Sequence, residues 1–136
     1  MTTDDVMYVV IVTGSRDWAD PSTVKLVLSN CLEYCIQQGL DMILRVGDCK
    51  TGVDKFAREW AAEMGVTTHE YLADWDKHQL AAGPIRNSEM VDAGGDLCTA
   101  FWNGRVKNSG THDCFTKAVR AGIKTELYGP EWTGDE

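Results

Sequence analysis

Positive charge is in short supply in this chain: 13 lysines and arginines face 21 aspartates and glutamates, a formal net charge of -8. That balance opposes non-specific attraction to nucleic acid and to anionic membrane surfaces, so any phosphate site must be a local feature. No apolar run is long enough to span a bilayer, and the opening Met1-Thr2-Thr3-Asp4-Asp5 has no basic segment leading into an apolar signal core. A cytoplasmic protein without membrane attachment is expected. The five cysteines include no Cys-x-x-Cys pair, which argues against a zinc knuckle or a dithiol redox centre. Cys31 and Cys35 stand four apart on an apolar helical stripe and read as core. His69 and His78 have no partner at metal-ligand spacing, so neither a metal nor a resident cofactor is expected. Also missing are Gly-x-Gly-x-x-Gly after the first strand and Gly-x-x-x-x-Gly-Lys-Ser/Thr anywhere, which disfavours dinucleotide dehydrogenases and P-loop NTPases. There is no internal repeat and no interdomain linker. The length suits one domain, taken as residues 1–130 with an acidic tail at 131–136.

What the chain does have is a regular alternation. Val6 to Val12 is an almost unbroken apolar run rich in valine, the mark of a strand buried on both faces. Asp20-Pro21-Ser22 then predicts a helix start, with Val24, Val27, Leu28, Cys31, Leu32 and Cys35 at helical spacing and Gly39 as the stop. Further strands are predicted over 41–46, 66–72, 96–102 and 123–128. The second helix, with Thr51 as its cap, has Val53, Phe56, Ala57, Trp60, Ala61 and Met64 on one face. A later helix turns Cys114, Phe115, Ala118 and Val119 inward. Strand alternating with helix predicts a three-layer, Rossmann-like α/β domain: a mostly parallel sheet of about five strands with helices on both faces.

In such a sheet a ligand binds beyond the carboxyl ends of the strands, where strand order reverses. The unusual residues fall there. Three turns rich in glycine and short polar side chains precede helix starts: Gly14-Ser15-Arg16-Asp17, Gly47-Asp48 through Gly52-Val53-Asp54, and Ser109-Gly110-Thr111. Glycine lets backbone approach a ligand, and hydroxyls add donors to free N–H groups. Asp17, Asp48 and Asp54 are candidates for ribose hydroxyls, or else for helix caps and ion pairs. Trp75 and Trp102 stand beside polar loops and offer ring faces to a base, or else belong to the core.

A fourth stretch, Gly83-Pro84-Ile85-Arg86-Asn87-Ser88-Glu89-Met90, reads as a helix start with Gly83 as cap and proline in the first turn. Arg86 there opposes the helix dipole, which an anionic ligand or a nearby carboxylate would offset. A shared cationic pocket built from Arg16, Arg86 and the three turns is therefore the expected site.

Taken in order, Thr13-Gly14-Ser15-Arg16-Asp17-Trp18, Gly47-Asp48-Cys49-Lys50-Thr51-Gly52-Val53-Asp54, Ala73-Asp74-Trp75, Gly83-Pro84-Ile85-Arg86-Asn87-Ser88-Glu89-Met90, Ala100-Phe101-Trp102 and Ser109-Gly110-Thr111 resemble the YspA/cpYpsA-related branch of the SLOG superfamily. The resemblance runs along almost the whole chain. It implies a Rossmannoid fold that binds nucleotides or nucleotide-derived small molecules, in a group common among bacteria and their phages. It adds Asp74, Asn87 and Met90 to the candidate ligand contacts. The same superfamily holds the Lonely Guy phosphoribohydrolases, which split a nucleoside monophosphate into base and ribose phosphate. Arg86 and Met90 match their first motif, but Cys114 stands where their later glutamate would be. A thiol does not replace a carboxylate that stabilises positive charge on a ribose ring, so no catalytic residue is assigned. Asp48, Asp54, Asp74 and Asp113 remain as carboxylates that approach from other directions.

The expectation is thus a binding protein for a phosphorylated nucleotide or nucleotide-derived small molecule, acting as sensor, carrier or sequestering agent. The alternatives are a nucleotide N-glycosidic hydrolase and an oligomeric interaction module whose loops are only structural. Homo-oligomerisation is left open.

Overall fold

Val10 and Val12 pack to one side of the first strand and Ile11 to the other, and all three are fully buried. A strand covered on both faces by apolar layers requires that arrangement. The computed structural model describes residues 6–103 and 110–129. Within them five strands form one sheet: β1 (Met7–Gly14), β2 (Asp41–Gly47), β3 (Thr67–Tyr71), β4 (Leu97–Phe101) and β5 (Lys124–Tyr128), in the order β3-β2-β1-β4-β5. Every pairing is parallel, with Val10 beside both Leu44 and Leu97 at the centre.

Helices α1 (Pro21–Gln38) and α2 (Gly52–Met64) cover one face, and α4 (Ala82–Asp92) and α5 (Gly110–Arg120) the other; α3 (Trp75–His78) is a single turn leading into α4. Asp20 caps α1 through the Ser22 N–H, Pro21 opens the first turn, and Gly39 closes the helix in the left-handed region at φ 70°. The larger core joins Val24, Val27 and Leu28 of α1 with Val53, Ala57 and Trp60 of α2 over Val10, Val12, Leu44 and Val46. Fully burying each such aliphatic side chain stabilises by roughly 1.5–3 kcal/mol. Met64 and Val119, expected on inner faces, are about half exposed; each lies in the last turn of its helix.

The topology fixes where a crevice opens. From β1 the chain steps outward through β2 to β3, then returns to lay β4 on the other flank of β1. The turns leaving β1 and β4 consequently diverge to opposite faces, and a gap is left between them.

Candidate functional site

Ser15 ties that gap together. Its N–H donates to the Phe101 carbonyl (2.9 Å), its hydroxyl accepts from the Asn103 N–H (3.2 Å), and its carbonyl accepts from Val53 N–H at the start of α2 (3.3 Å). One residue thereby links the ends of β1 and β4 to α2. Above it lies an open cleft of about 630 Å³. Gly14, Ser15, Arg16 and Asp17 form one wall, Trp75, Arg86 and Asn87 another, and Trp102, Gly110 and Thr111 a third, with Asp54 among them. The carboxyl-edge location expected from the sequence is where the cleft lies.

At the mouth the Arg16 guanidinium sits 5.3 Å from the centroid of the Trp75 ring, in cation–π geometry. Arg16 is exposed and forms no ion pair with any described residue. Beside it Leu80 lines the cleft while remaining 92% exposed. The residue before it, Gln79, has φ 52° and ψ -128°, a backbone state that costs a non-glycine residue about 1–3 kcal/mol.

The floor is a polar chain, buried at Arg86 and Asn87 and half-buried at its ends. Arg86 donates from Nη1 to Asp48 Oδ1 (3.0 Å) and from Nε to Asn87 Oδ1 (2.9 Å). Asn87 in turn donates to the Gly110 carbonyl and to Asp113 Oδ2 (3.1 Å each), and Lys117 closes on Asp113 at 2.9 Å. Asp48 also accepts from the Ala73 N–H at 3.2 Å, so the chain runs from α5 through α4 to the loop after β3. Gly47 passes so close to this ion pair that a Cβ there would lie 2.4 Å from Arg86 Nη1.

Asp54 is 7% exposed and lines the cleft beside the pair. Burial pushes its carboxyl up to about 6, although Arg86, the Cys49 N–H and Arg58 pull the other way. The sign of the consequence is unusual for an aspartate. Its folded value lies above the unfolded value of about 3.9, so the native state holds the proton more tightly. The resulting stabilisation is complete below about pH 4 and is lost as pH rises through about 6. Two units amount to roughly 3 kcal/mol. Chemical denaturation between pH 4 and 7.5 is expected to show this fall in the wild type and a flatter profile in Asp54→Asn. Parallel profiles would refute the assignment.

Several expectations need correcting. The cleft is not a cationic basin: its described side chains include two arginines and three aspartates, Asp17, Asp54 and Asp113. Arg86 is the counter-ion of Asp48, buried at 8% exposure, and not a free phosphate fork. Gly47, Asp48, Gly52, Asp74 and Met90 do not line the cleft. Gly47 and Asp48 hold the Arg86 pair from outside, Asp74 caps α3 through the Lys77 N–H (3.1 Å), and Met90, 1% exposed, is packed in the second core. Gly52 lies under the β1 turn, in the left-handed region at φ 69°. Thr51 occupies the cap position of α2, as expected, but its hydroxyl donates to the Arg16 carbonyl (2.9 Å) and makes no cap hydrogen bond to the helix. The first glycine turn does not reach the start of α1, which Asp20 caps instead. Gly83 is no cap either: α4 begins at Ala82, and Gly83 is buried inside its first turn against the edge of Trp75. Ser109 lies outside the described residues. Cys114, in the place of the glutamate, is fully buried in the second core together with Cys98.

Cleft residues that the sequence did not single out as contacts are Thr13, Cys49, Leu80, Gly83, Pro84 and Asn103, while Asp113, raised only as an alternative carboxylate, does line the wall. The position of Asn103 two residues beyond the β4 strand is the one signal the sequence offers. Among the described residues no cluster of three His, Cys, Asp or Glu side chains is arranged to hold a metal ion, and no helix is long and apolar enough to cross a membrane.

Fold and cleft together define an open, all-parallel α/β domain with a ligand-sized opening at its strand-order switch point. The chain belongs to the YspA, cpYpsA-related SLOG family (YAcAr), whose profile matches residues 8–78. It is 38% identical over 125 residues to the Gene 61 protein of Mycobacterium phage D29, covering 88% of this chain and 95% of that one. Among solved structures, phenylacrylic acid decarboxylase from Aquifex aeolicus aligns over 96% of this chain and 86% of its own, at 11% identity and a TM-score of 0.39.

Proposed function

We propose that this protein binds a nucleotide-derived small molecule in the cleft between the ends of β1 and β4, as a sensor, carrier or sequestering agent of the cytoplasm. The observation that carries this reading is Arg16: an exposed guanidinium resting on Trp75 at the mouth of the cleft, without a carboxylate partner among the described residues. A cation left unpaired in so acidic a chain suits a ligand's phosphate, and the Trp75 ring beside it suits a planar base. Arg86 supports the floor. Family membership supports the same ligand class.

The test is a thermal-shift screen of AMP, ADP, ADP-ribose, NAD and cyclic nucleotides. A ligand at a hundred times its dissociation constant is expected to stabilise by about 2.7 kcal/mol. Arg16→Gln is expected to weaken it about tenfold, the low end for a charge-assisted hydrogen bond because the site is exposed. No shift with any member of the panel would refute the reading.

A second reading, N-glycosidic hydrolysis, draws on the two carboxylates Asp54 and Asp113 that line the cleft, since position 114 does not. Chromatography for released base separates the two: turnover lost in Asp54→Asn or Asp113→Asn would promote hydrolysis over binding.

A further inference from the structure

The aspartates in and under the cleft are not equally engaged. Asp48 is held by Arg86 (3.0 Å), Asp113 by Asn87 and Lys117 (3.1 and 2.9 Å), and Asp17 by Asn103. Asp54 is the exception. No described side chain bonds to it, because Arg86 turns to Asp48 and Arg58 turns to Glu70 (3.4 Å) and to the Gly47 and Cys49 carbonyls. Its one hydrogen bond from a described residue is long, from the Cys49 N–H to Oδ2 at 3.3 Å.

The neighbours of the two oxygens say which way each points. Oδ2 faces the end of β2, where a Cβ on Gly47 would lie 2.7 Å from it. Oδ1 accepts from no described residue. It is nevertheless not enclosed: the buried polar side-chain atoms left without a partner are, among the described residues, Arg45 Nε and Trp102 Nε1. Oδ1 therefore reaches open space, and the space this side chain lines is the cleft. An ionised carboxylate has about four acceptor sites, so most of the capacity of Asp54 is unused.

We infer that Asp54 is a specificity-determining residue whose Oδ1 accepts a hydrogen bond from a hydroxyl or amino group of the nucleotide-derived ligand, and that seating this donor expels the carboxyl proton into solvent. This rests on the binding reading above. Burial favours the protonated carboxyl in the free protein, whereas a donor hydrogen aimed at Oδ1 favours the charged form. Binding is therefore strongest above about pH 6 and weakens as acid returns the proton. The charged and titratable groups around Asp54 are Arg58 on its own helix, Arg86 from α4, and Asp48 and Cys49 from the loop after β2. Arg16, Asp17 and Asp113 line other parts of the cleft, and His112 leans on the Trp102 ring. The sign of the proton change separates Asp54 from His112, since an imidazole beside an arriving phosphate takes up a proton.

ADP-ribose, NAD and cyclic AMP suit the test, because they lack the phosphomonoester of AMP, which itself titrates near about pH 6. Titration calorimetry at about pH 5.5, in two buffers of different ionisation enthalpy, is expected to show about half a proton released per ligand bound. Affinity is expected to fall about fivefold between about pH 7.5 and pH 5. Asp54→Asn is expected to lose both the release and the pH dependence. Where only a phosphomonoester binds, the difference between wild type and Asp54→Asn carries the result. Binding without proton release, or a pH profile that Asp54→Asn shares, would overturn the inference. Should Asp54→Asn fail to fold, carboxyl 13C resonances of the wild type decide. One aspartate is expected to titrate near about 6 in the free protein and about a unit lower in the saturated complex, and an unmoved midpoint would overturn the inference. If the wild type binds no member of the panel, the cleft reading fails and this inference with it. If it binds without releasing a proton, only the role of Asp54 is lost.

Discussion

Arg86→Met is expected to destabilise the protein by about 3 kcal/mol or more at pH 7, the low end of the 3–5 kcal/mol typical of breaking a buried ion pair. The low end applies because the Asp48 side chain keeps 25% of its surface in water, against 10% for Arg86. Two carboxylates depend on this one guanidinium. Asp48 accepts its Nη1 hydrogen bond, and Asp54, already pushed up to about 6 by burial, loses the largest influence holding it down. Removing the cation therefore drives the Asp54 value further up and lets a proton take over part of the cation's role. The loss is accordingly expected to be smaller at pH 5, where Asp54 is protonated, than at pH 7. Urea denaturation at the two pH values measures it. A cost below about 1 kcal/mol, or one independent of pH, would mean that Arg86 is not the compensating charge and would reopen it as a ligand residue.

Gly52→Ala and Gly39→Ala form a matched pair with very different expected costs. Both glycines are left-handed, at φ 69° and 70°. An L-residue there pays roughly 1–2 kcal/mol for the conformation alone. Around Gly39 nothing lies within 4 Å of a new Cβ, so that is the whole effect. A Cβ on Gly52 would lie 2.3 Å from the Ser15 carbonyl oxygen and 2.5 Å from that of Arg16. These are backbone atoms, and moving them breaks the Val53 and Thr51 hydrogen bonds to the β1 turn. Overpacking of this kind adds about 1–3 kcal/mol. Gly52→Ala is thus expected to lose about 3 kcal/mol or more and to bind cleft ligands poorly, while Gly39→Ala binds normally. Equal melting temperatures for the two variants would show that the turn is not clamped as described.

These two cases also show what the sequence made legible. Strand and helix positions followed from local signals: the valine run at Val9–Val12, the Asp20-Pro21 start and Gly39 stop of α1, and the alternation that implies a parallel sheet. The start of α4 was misplaced because Ala81 and Ala82 carry no capping chemistry and the helix instead grows out of a preceding 3-10 turn. The rim of the cleft was legible because topology alone sends the β1 and β4 turns there. The partner of Arg86 was not, since Asp48 lies 38 positions away and an acidic chain offers many candidates. Nor does the Arg86-to-Met90 spacing reveal that the helix turns the arginine toward the cleft and the methionine into the core. Leu80 went unnoticed because an exposed leucine in a polar loop has no local signature, and only the strained Gln79 beside it marks the spot.

The three bonds of Ser15 carry a thermal consequence. A residue stitched to a neighbouring strand end, to the turn beyond it and to a helix on the covered face lets go only when the central sheet separates. The part of the cleft between the ends of β1 and β4 then has no early melting step of its own; warming leaves it intact until the sheet itself gives way.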